Sequence, residues 1–274
     1  MENTCEPILA EKIFQCLALI DNILLSIEIG FKTKITNIPI SEKYILTLLP
    51  LGQSRQYEKK SDEILIYEDL FLTNKDFYIS LLSSKLGLNN RIYGRQCEVK
   101  MIDKDLFNEF CNKFHYLKTG NCKVRIGLFY ENELIMAAGF SKPKLMYRDH
   151  LKYQSAFLIR LVTKHGTTIT GGLSKILNKY IITENPDDIV TYIDTDFFDG
   201  ASFKSQGFET YKTLESLTFW LHLESKTRFS TDQLIHKLNL KDTNFISSEN
   251  IPKGYIPIYN HGTIKMVKVV RSSN

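Results

Sequence analysis

The chain has 274 residues, 43% hydrophobic, 12% aromatic and 24% charged, so it can bury one large core or two small ones. This ordinary globular composition excludes a low-complexity chain. The net charge of +4 is uneven, because residues 225–274 carry eight Lys/Arg against three Asp/Glu. A basic tail of this kind is either a solvated surface or a contact for nucleic acid, and we expect its Lys265, Lys268 and Arg271 to meet phosphates.

Cysteine usage and hydropathy indicate the cellular compartment of the protein. The five cysteines are odd in number and form no CxxC pair, which favours a reducing compartment and argues against a zinc site. The apolar stretch 7–29 is interrupted by charged and amide side chains, and it lacks the basic start and cleavage site of a signal peptide. We therefore expect a cytoplasmic protein without a membrane span and without a metal.

Residues 1–90 predict an accessory region that contains a helix and short strands. The polar stretch 52–63 is the predicted seam. An apolar run at 63–71 leads into a helix near Lys75–Leu86, which Gly87 ends. This region contains no HNH or GIY-YIG motif and no cluster of metal ligands, which disfavours a nuclease.

Residues 91–224 predict a second, more regular region. CEVKMI (97–102) is a predicted strand, and Asp103 caps a helix whose apolar residues recur at helical spacing. KVRIGLFY (123–130) and ELIMAAGF (133–140) form a hairpin across Glu131–Asn132, and SKPKLMYRDH (141–150) is a loop.

The second half of this region alternates strands and helices. YQSAFLIRLV (153–162) is a long strand, and TTITGG turns into a helix with a buried stripe from Leu173 to Ile181. Strand 187–194, a short helix at 200–208 and a last strand at 217–224 follow. This order predicts an α/β fold: one mixed sheet with an N-terminal helix-and-strand extension, and a basic extension at 225–274.

The glycine pair Gly171-Gly172 stands where a strand meets a helix. Free amides at a helix N-terminus and the helix dipole together make an anion site, and glycine lets a phosphate approach the backbone. The alternative is a tight connection without a ligand. The sequence contains neither a GxGxxG nor a P-loop pattern, so it gives little support to a dinucleotide-binding or NTP-binding site.

The order of elements from Cys97 to Glu224 resembles the GCN5-related N-acetyltransferase (GNAT) fold. The segment 168–173 stands where that family has Arg/Gln-x-x-Gly-x-Gly/Ala, although it lacks the Arg or Gln. The ending Gln206-Gly207-Phe208 resembles the family's "lYeklGF". The resemblance implies acetyl-CoA or another acyl-CoA, held through its pyrophosphate. The implied cofactor-binding residues are Ile169, Thr170, Gly171, Gly172, Leu173 and Ser174.

A narrower resemblance covers about two-thirds of the chain. FCNKFHYLKTG (110–120), FLIRLVTKHGTTITGGLSKIL (157–177) and VTYIDTDFFDGASFKSQGF (190–208) are among the stretches that resemble phage-borne homing-endonuclease-like proteins. A more distant likeness is to the Mom DNA adenine-modifying protein of phage Mu. Both resemblances imply DNA as a partner, although a lineage does not fix an activity.

Two residues are the candidate catalytic groups. His115 ends the first helix, where an imidazole would take a proton from an attacking amine, or would simply be satisfied by the helix end. Asp194 stands at the carboxyl end of a strand, where open α/β sheets bind ligands; alternatively, it caps the turn before Asp196 and Asp199.

Other residues are candidates for substrate binding. Arg160 interrupts an apolar strand, so it pairs with a carboxylate such as Asp194 or with a substrate phosphate, or else it faces solvent. Tyr116 and Tyr192 complete the predicted substrate-binding set. Ser174 and Lys175 open the helix after the glycines as further phosphate contacts, or as ordinary surface residues.

The sequence departs from the GNAT pattern at one position. Where that family has a tyrosine acid in the short helix, this chain has Phe203, which cannot donate a proton. Ser202, Tyr192 or water would take its place, or the fold is kept without the transfer. The leading hypothesis is an acyl-CoA-dependent transferase that modifies a nucleobase in DNA. The alternatives are a non-catalytic DNA-binding module and a transferase for a small-molecule amine.

Overall fold

The structure is a computed structural model, and it describes residues 11, 13–22, 35–52, 57–60, 62–148, 150–240 and 250–271. The predicted seam at 52–63 is described only in part, and Cys5 lies outside the described residues. The chain divides into two compact units. The first takes Met1–Ile79, Asp194–Phe197 and Glu215–Thr263, and the second takes Ser80–Ile193, Phe198–Leu214 and Ile264–Asn274. Each unit is therefore assembled from segments that are separated along the sequence.

The described elements, in chain order, are α1 (13–22), β1 (Thr36–Pro39), β2 (Ile45–Leu49), β3 (Glu63–Tyr67), α2 (Glu68–Thr73), α3 (Lys75–Lys85), β4 (Asn90–Tyr93), β5 (Glu98–Met101), α4 (Lys104–Phe114), β6 (Val124–Tyr130), β7 (Glu133–Phe140), β8 (Lys144–Arg148), β9 (Leu151–Thr163), β10 (Thr167–Thr170), α5 (Gly172–Glu184), β11 (Asp188–Asp194), α6 (Ala201–Lys204), β12 (Glu209–Leu214), β13 (Thr218–His222), β14 (Thr227–Ser230), α7 (Thr231–Leu238), β15 (Tyr255–Tyr259) and β16 (Thr263–Val269).

The first unit contains two three-stranded sheets, in the orders β1-β2-β3 and β14-β13-β15. β3 is buried along its whole length: its last four residues, ILIY, are apolar, and the buried carboxylate of Glu63 accepts a hydrogen bond from the Tyr57 hydroxyl at 2.5 Å. In the second sheet Trp220 packs with Leu234 of α7 and with Tyr255. Ser230 and Gln233 form a capping box that starts α7.

The second unit is built on an eight-stranded mixed sheet of order β12-β16-β11-β9-β7-β6-β5, with β8 paired to β9. The predicted β6–β7 hairpin is confirmed. Its turn residues Glu131 and Asn132 have φ of 49° and 66°, the left-handed region that a two-residue hairpin turn requires. The expected α/β fold, with the GNAT-like order of elements around a large mixed sheet, is present.

One helix covers each face of this sheet. α5 places Ile176, Leu177 and Tyr180 in the larger core cluster. α4 places Phe107, Phe110 and Cys111 in a second cluster on the opposite face, together with Val162 of β9. The predicted apolar faces of the two helices are therefore the faces that they bury.

Two predictions about the sheet are wrong. Segment 141–150 is not a loop throughout, because β8 pairs antiparallel with the beginning of β9. Strand 217–224 does not close the large sheet, because β13 pairs with β14 and β15 instead. The place beside β11 is taken by β16, and polar β12 forms the edge. These pairings join segments far apart in the chain, so local periodicity does not reveal them.

The basic tail contributes to the folded core as well as to the surface. β16 lies inside the large sheet, where Met266 is fully buried. The ammonium group of Lys268 donates to the carbonyl of Gln206 at 2.7 Å, and that of Lys265 lies 4.6 Å from the ring centre of Tyr211. Two of the three cations expected to meet phosphates therefore have contacts within the fold.

Candidate functional site

The second unit contains a pair of parallel strands that separate part-way along. β9 and β11 pair from Ser155–Asp188 to Leu158–Thr191, and β9 then continues to Thr163 beyond the last registered pair. The Thr191 hydroxyl donates to the carbonyl of Leu158 at 3.2 Å, where the pairing ends. Beyond this fork between the strands, the backbone groups of β9 have no partner in the β9–β11 ladder, so they are available for other hydrogen bonds.

A β-bulge lies beside this fork. In the β7–β9 ladder Gly139 pairs with Arg160 and Phe140 pairs with Leu158, so Ile159 is the extra residue. A bulge disrupts the local ladder and re-aims backbone groups, and bulges are common next to active sites. A backbone donor released here is suited to stabilising negative charge on a carbonyl oxygen.

The glycine turn leads directly into α5. Gly171 has φ of 80°, the left-handed region that glycine adopts without strain, and it is the N-cap of the helix. The amide of Lys175 donates to the carbonyl of Gly171 at 3.3 Å. The preceding amides, of Gly172, Leu173 and Ser174, belong to the first turn and have no intrahelical acceptor. They form a potential anion site at the positive end of the helix dipole.

The remaining predicted cofactor contacts lie in a strand. Ile169 and Thr170 belong to β10, which pairs in parallel with β4 through Ile92 and Tyr93. Their backbone is thus part of a sheet ladder, which narrows the candidate anion site to the first turn of α5. Lys175 also has a different role, because its ammonium group donates to the carbonyls of Gly94 and Cys97.

The two glycines of the turn serve different purposes. A Cβ on Gly171 would have no heavy atom within 4 Å, so the backbone is open on that side. On another side Gly94 packs closely, because a Cβ on Gly94 would lie 2.8 Å from the carbonyl carbon of Gly171 and 3.0 Å from the amide nitrogen of Gly172. A Cβ on Gly172 would lie 2.6 Å from Cγ2 of Ile169 and 3.0 Å from Sδ of Met136. A side chain at position 172 would therefore enter the core.

His115 follows α4 as its C-cap residue, as predicted. Its Nδ1 accepts a hydrogen bond from the amide of Leu117 at 3.0 Å, and its ring stacks on Tyr116 with the centroids 5.2 Å apart. Burial, Arg160 and Lys118 lower the pKa of His115 from 6.5 to about 3. The ring is therefore neutral at neutral pH, with its hydrogen on Nε2, which makes His115 a hydrogen-bond donor. Its role as a general base stays a prediction.

The pKa of His115 predicts a pH dependence of stability. A histidine whose pKa is lower in the folded state binds its proton only on unfolding, so stability falls as the pH drops from 6.5 toward about 3. We expect His115→Gln to reduce this loss, as measured by urea unfolding at several pH values. His150→Gln is the control, since His150 is exposed. Parallel pH profiles for wild type and His115→Gln would contradict the assignment.

Arg160 holds the loop that carries His115. Its guanidinium donates to the carbonyl of Lys118 at 3.0 Å, to that of Thr119 at 3.4 Å and to that of Ile159 at 2.9 Å. These partners are backbone carbonyls, whereas the alternatives that the sequence left open were a carboxylate, a substrate phosphate or solvent. Arg160 thus links the bulge in β9 to the His115 loop, and its contact with a substrate stays a prediction.

The other predicted groups of the second unit lie on β11 and α6. Tyr192 is 48% exposed, so its hydroxyl is accessible on β11. Phe203 is buried and packs edge-on against Phe208, with the ring centroids 5.3 Å apart. Ser202 is exposed. The position of the expected tyrosine acid is therefore a core position in this chain, and Tyr192 and Ser202 are the accessible hydroxyls.

Asp194 belongs to the first unit and begins a turn. Its Oδ1 accepts from the amide of Asp196 at 3.1 Å, and its carbonyl accepts from the amide of Phe197 at 3.4 Å. This is the turn-capping role that the sequence left open as an alternative. Because His115 belongs to the second unit, the joint catalytic assignment of the two residues stays a prediction.

A buried polar group in the first unit was missed by the sequence analysis. Asp196 is 2% exposed and accepts from the Tyr67 hydroxyl at 2.7 Å and from the His261 amide at 3.0 Å. The His261 ring contacts Asp196 through Nδ1 and the carbonyl of Tyr57 through Nε2, at 3.0 and 2.7 Å. Burial and Asp196 raise the pKa of Tyr67 well above its usual value, so Tyr67 remains a donor. This group anchors the turn that Asp194 begins.

Among the described residues, no group of three or more His, Cys, Asp or Glu side chains is placed to hold a metal ion. No helix in the same residues is long and apolar enough to cross a membrane.

No protein-family model and no curated protein matches this chain. Similar solved structures include Arabidopsis thaliana Naa50 in complex with the bisubstrate analogue CoA-Ac-MVNAL, at 11% identity over 63% of this chain and 98% of that chain, with a TM-score of 0.37. A Bacillus subtilis acetyltransferase in complex with CoA shows 11% identity over 64% and 98% of the chains, with a TM-score of 0.36. A GNAT family acetyltransferase from Elizabethkingia anophelis with acetyl-CoA bound shows 10% identity over 64% and 99%, with a TM-score of 0.31.

These likenesses are distant. At identities of 10–11% and TM-scores of 0.31–0.37 they assign no activity to this chain. The resemblances to phage homing-endonuclease-like proteins and to Mom stay predictions. The chain has a mixed α/β fold, and its own site is what bears on its activity.

Proposed function

We propose that this protein is a cytoplasmic acyl-CoA-dependent transferase whose acceptor is an amine. The observation that carries the proposal is the fork between β9 and β11, with the bulge at Ile159 beside it. The glycine turn of the same unit ends in the open first turn of α5. A fork with released backbone groups suits an acyl group, and a helix N-terminus suits the phosphates that accompany it.

The donor side of the site consists of backbone groups. The amides of Gly172, Leu173 and Ser174 would hold the pyrophosphate, with the helix dipole favouring negative charge. The open space beside Gly171 admits the anion. A bound acyl-CoA supplies an activated thioester, and the released amide at the bulge would stabilise negative charge on its carbonyl oxygen.

The acceptor side relies on polar side chains of the second unit. His115 would donate from Nε2 and orient the acceptor, with Tyr116 stacked on its ring. Tyr192 is the candidate proton donor to the leaving thiolate, since Phe203 lacks a hydroxyl. Water would receive the proton that the attacking amine loses.

For the acceptor we propose a nucleobase in DNA. An amine of a base inside a duplex is unreachable, so the enzyme would extrude the base or act on single strands. The buried Phe203 favours a second candidate, a DNA-binding module that keeps the fold without the transfer. A small-molecule amine is the remaining acceptor class.

We expect acetyl-CoA to raise the melting temperature of the protein, because a ligand that binds only the folded state stabilises it. S-acetylpantetheine, which lacks the pyrophosphate, should produce a much smaller shift. Ser174→Ala should retain the shift, since the amides carry the binding. Equal shifts with both ligands would contradict the helix site, and no shift with acetyl-CoA would overturn the transferase proposal.

Product analysis separates the candidate functions. DNA nucleosides from cells that express the protein, analysed by mass spectrometry, should contain an acylated base. Binding of acetyl-CoA without a modified base favours a small-molecule amine, which incubation with labelled acetyl-CoA and a panel of amines would detect. Binding of DNA without acetyl-CoA favours the non-catalytic module.

A further inference from the structure

The β8–β9 hairpin exposes a cluster of large apolar side chains. Leu145 is 53% exposed, Met146 40%, Tyr147 66% and Leu151 51%. Single exposed apolar residues are normal, but four on one short hairpin mark an interaction surface.

The register of the hairpin distributes these side chains over both faces. Leu145 pairs with Gln154, and Tyr147 pairs with Lys152. Met146, between them, pairs with Tyr153. Because successive residues of a strand face opposite sides, Leu145 and Tyr147 share one face and Met146 lies on the other. The aromatic ring of Tyr147 is thus directly across the ladder from a cation.

Cations surround these apolar side chains. Lys142, Lys144 and Lys152 are exposed, and so is His150 in the turn. Between residues 142 and 152 the sequence also contains Arg148 and a single acidic residue, Asp149. The hairpin therefore presents a positive surface with an exposed aromatic ring and exposed aliphatic groups.

We propose that the β8–β9 hairpin is the DNA-binding element of this protein. Its lysines contact phosphates, and Tyr147 and Leu145 lie against the bases. A two-stranded ribbon fits the major groove of duplex DNA, and an aromatic side chain stacks on unpaired bases. The inference rests on the proposed function only because it takes DNA as the acceptor. It identifies the surface through which the protein binds that DNA.

The chemistry of the hairpin disfavours other occupants. A hairpin that inserts into a membrane needs an apolar tip, whereas the sequence between the exposed apolar residues Tyr147 and Leu151 is Arg-Asp-His. A second copy of the hairpin would bring lysines against lysines. Apolar side chains on a DNA-bound ribbon also fill the space that an extruded base leaves, as apolar wedges do in other DNA-binding proteins.

The test compares three double variants. Lys144→Gln with Lys152→Gln removes two cations, and Tyr147→Ser with Leu145→Ser removes the apolar contact. Lys104→Gln with Lys204→Gln is the matched control, because both lysines are exposed in the second unit. Binding to a labelled DNA duplex and to one of its single strands is measured at about 50 and 200 mM salt. Thermal melts verify that the variants fold.

We expect the hairpin lysine variant to bind DNA about tenfold more weakly, with a salt slope reduced by about 2, and the control to match wild type. The Tyr147/Leu145 variant should lose affinity, most for the single strand if the ring stacks on bases. Hairpin variants that bind like wild type would overturn the inference and leave the transferase proposal intact. A wild-type protein that binds phosphatidylserine vesicles but not DNA would overturn both the inference and the nucleobase acceptor, whereas acetyl-CoA binding would still support acyl transfer.

Discussion

Arg228→Met is expected to lower the free energy of unfolding by about 3–5 kcal/mol, because it leaves a buried carboxylate without its partner. The side chains of Arg228 and Asp69 are only 7% and 2% exposed. The guanidinium donates to both carboxylate oxygens, at 2.8 and 2.7 Å. It also lies over the ring of Tyr67, 4.9 Å from the ring centre. Solvent is therefore unable to replace the missing charge.

Trp220 provides the measurement for this variant. It is the single tryptophan of the chain, and it lies on β13, which pairs directly with the β14 strand of Arg228. Urea unfolding followed by its fluorescence reports on the first unit. Asp69→Leu combined with Arg228→Met removes both charges and should recover much of the lost stability. If Arg228→Met alone lowered the free energy of unfolding by less than about 1 kcal/mol, the pair would contribute no more than a solvent-exposed ion pair does, and the prediction would be contradicted.

The elements that were predicted correctly are those whose signal is local. The β6–β7 hairpin requires only two alternating strands and a turn at Glu131–Asn132, and α4 and α5 show their buried faces through helical spacing. β10 and β16 lack such a signal. β10 pairs with β4 more than 70 residues earlier, and β16 enters the sheet from the basic tail. Their partners are selected by tertiary packing, which sequence spacing does not encode.

The candidate site shows the same division. The glycine turn was predicted because a glycine between a strand and a helix indicates a backbone position that other residues adopt only with strain. In the structure Gly171 has φ of 80° at this position. The different purposes of Gly171 and Gly172 were not predictable, because they depend on Met136 and Leu128 from other strands. The group around Asp196 was missed for a similar reason, since Tyr67, Asp196 and His261 meet from three distant segments. The hydrogen bonds of Arg160 were not predictable for the same reason, because the carbonyls of Lys118 and Thr119 belong to a loop that only the folded structure brings close to Arg160.

Gly172→Val is expected to destabilise the second unit by about 1–3 kcal/mol, because its side chain would overpack the core. A Cβ there lies 2.6 Å from Cγ2 of Ile169, 3.0 Å from Sδ of Met136 and 3.2 Å from Cδ2 of Leu128. Calorimetry, together with hydrogen exchange of peptides from α5, measures the loss.

Gly171→Ala is the matched control at the neighbouring glycine. Its Cβ meets nothing within 4 Å, but φ of 80° strains an alanine, so a cost of about 1–2 kcal/mol is expected. If Gly172→Val were as stable as wild type, this result would contradict the close packing of Gly172 against Leu128 of β6 and Met136 of β7. Because the variant perturbs the core, a loss of acetyl-CoA binding in Gly172→Val reports on a displaced α5 and not on a blocked phosphate. Ligand binding is therefore tested by comparing the melting-temperature shifts that acetyl-CoA and S-acetylpantetheine produce. The Gly172→Val variant tests the packing that holds the amides of the first turn of α5 in place.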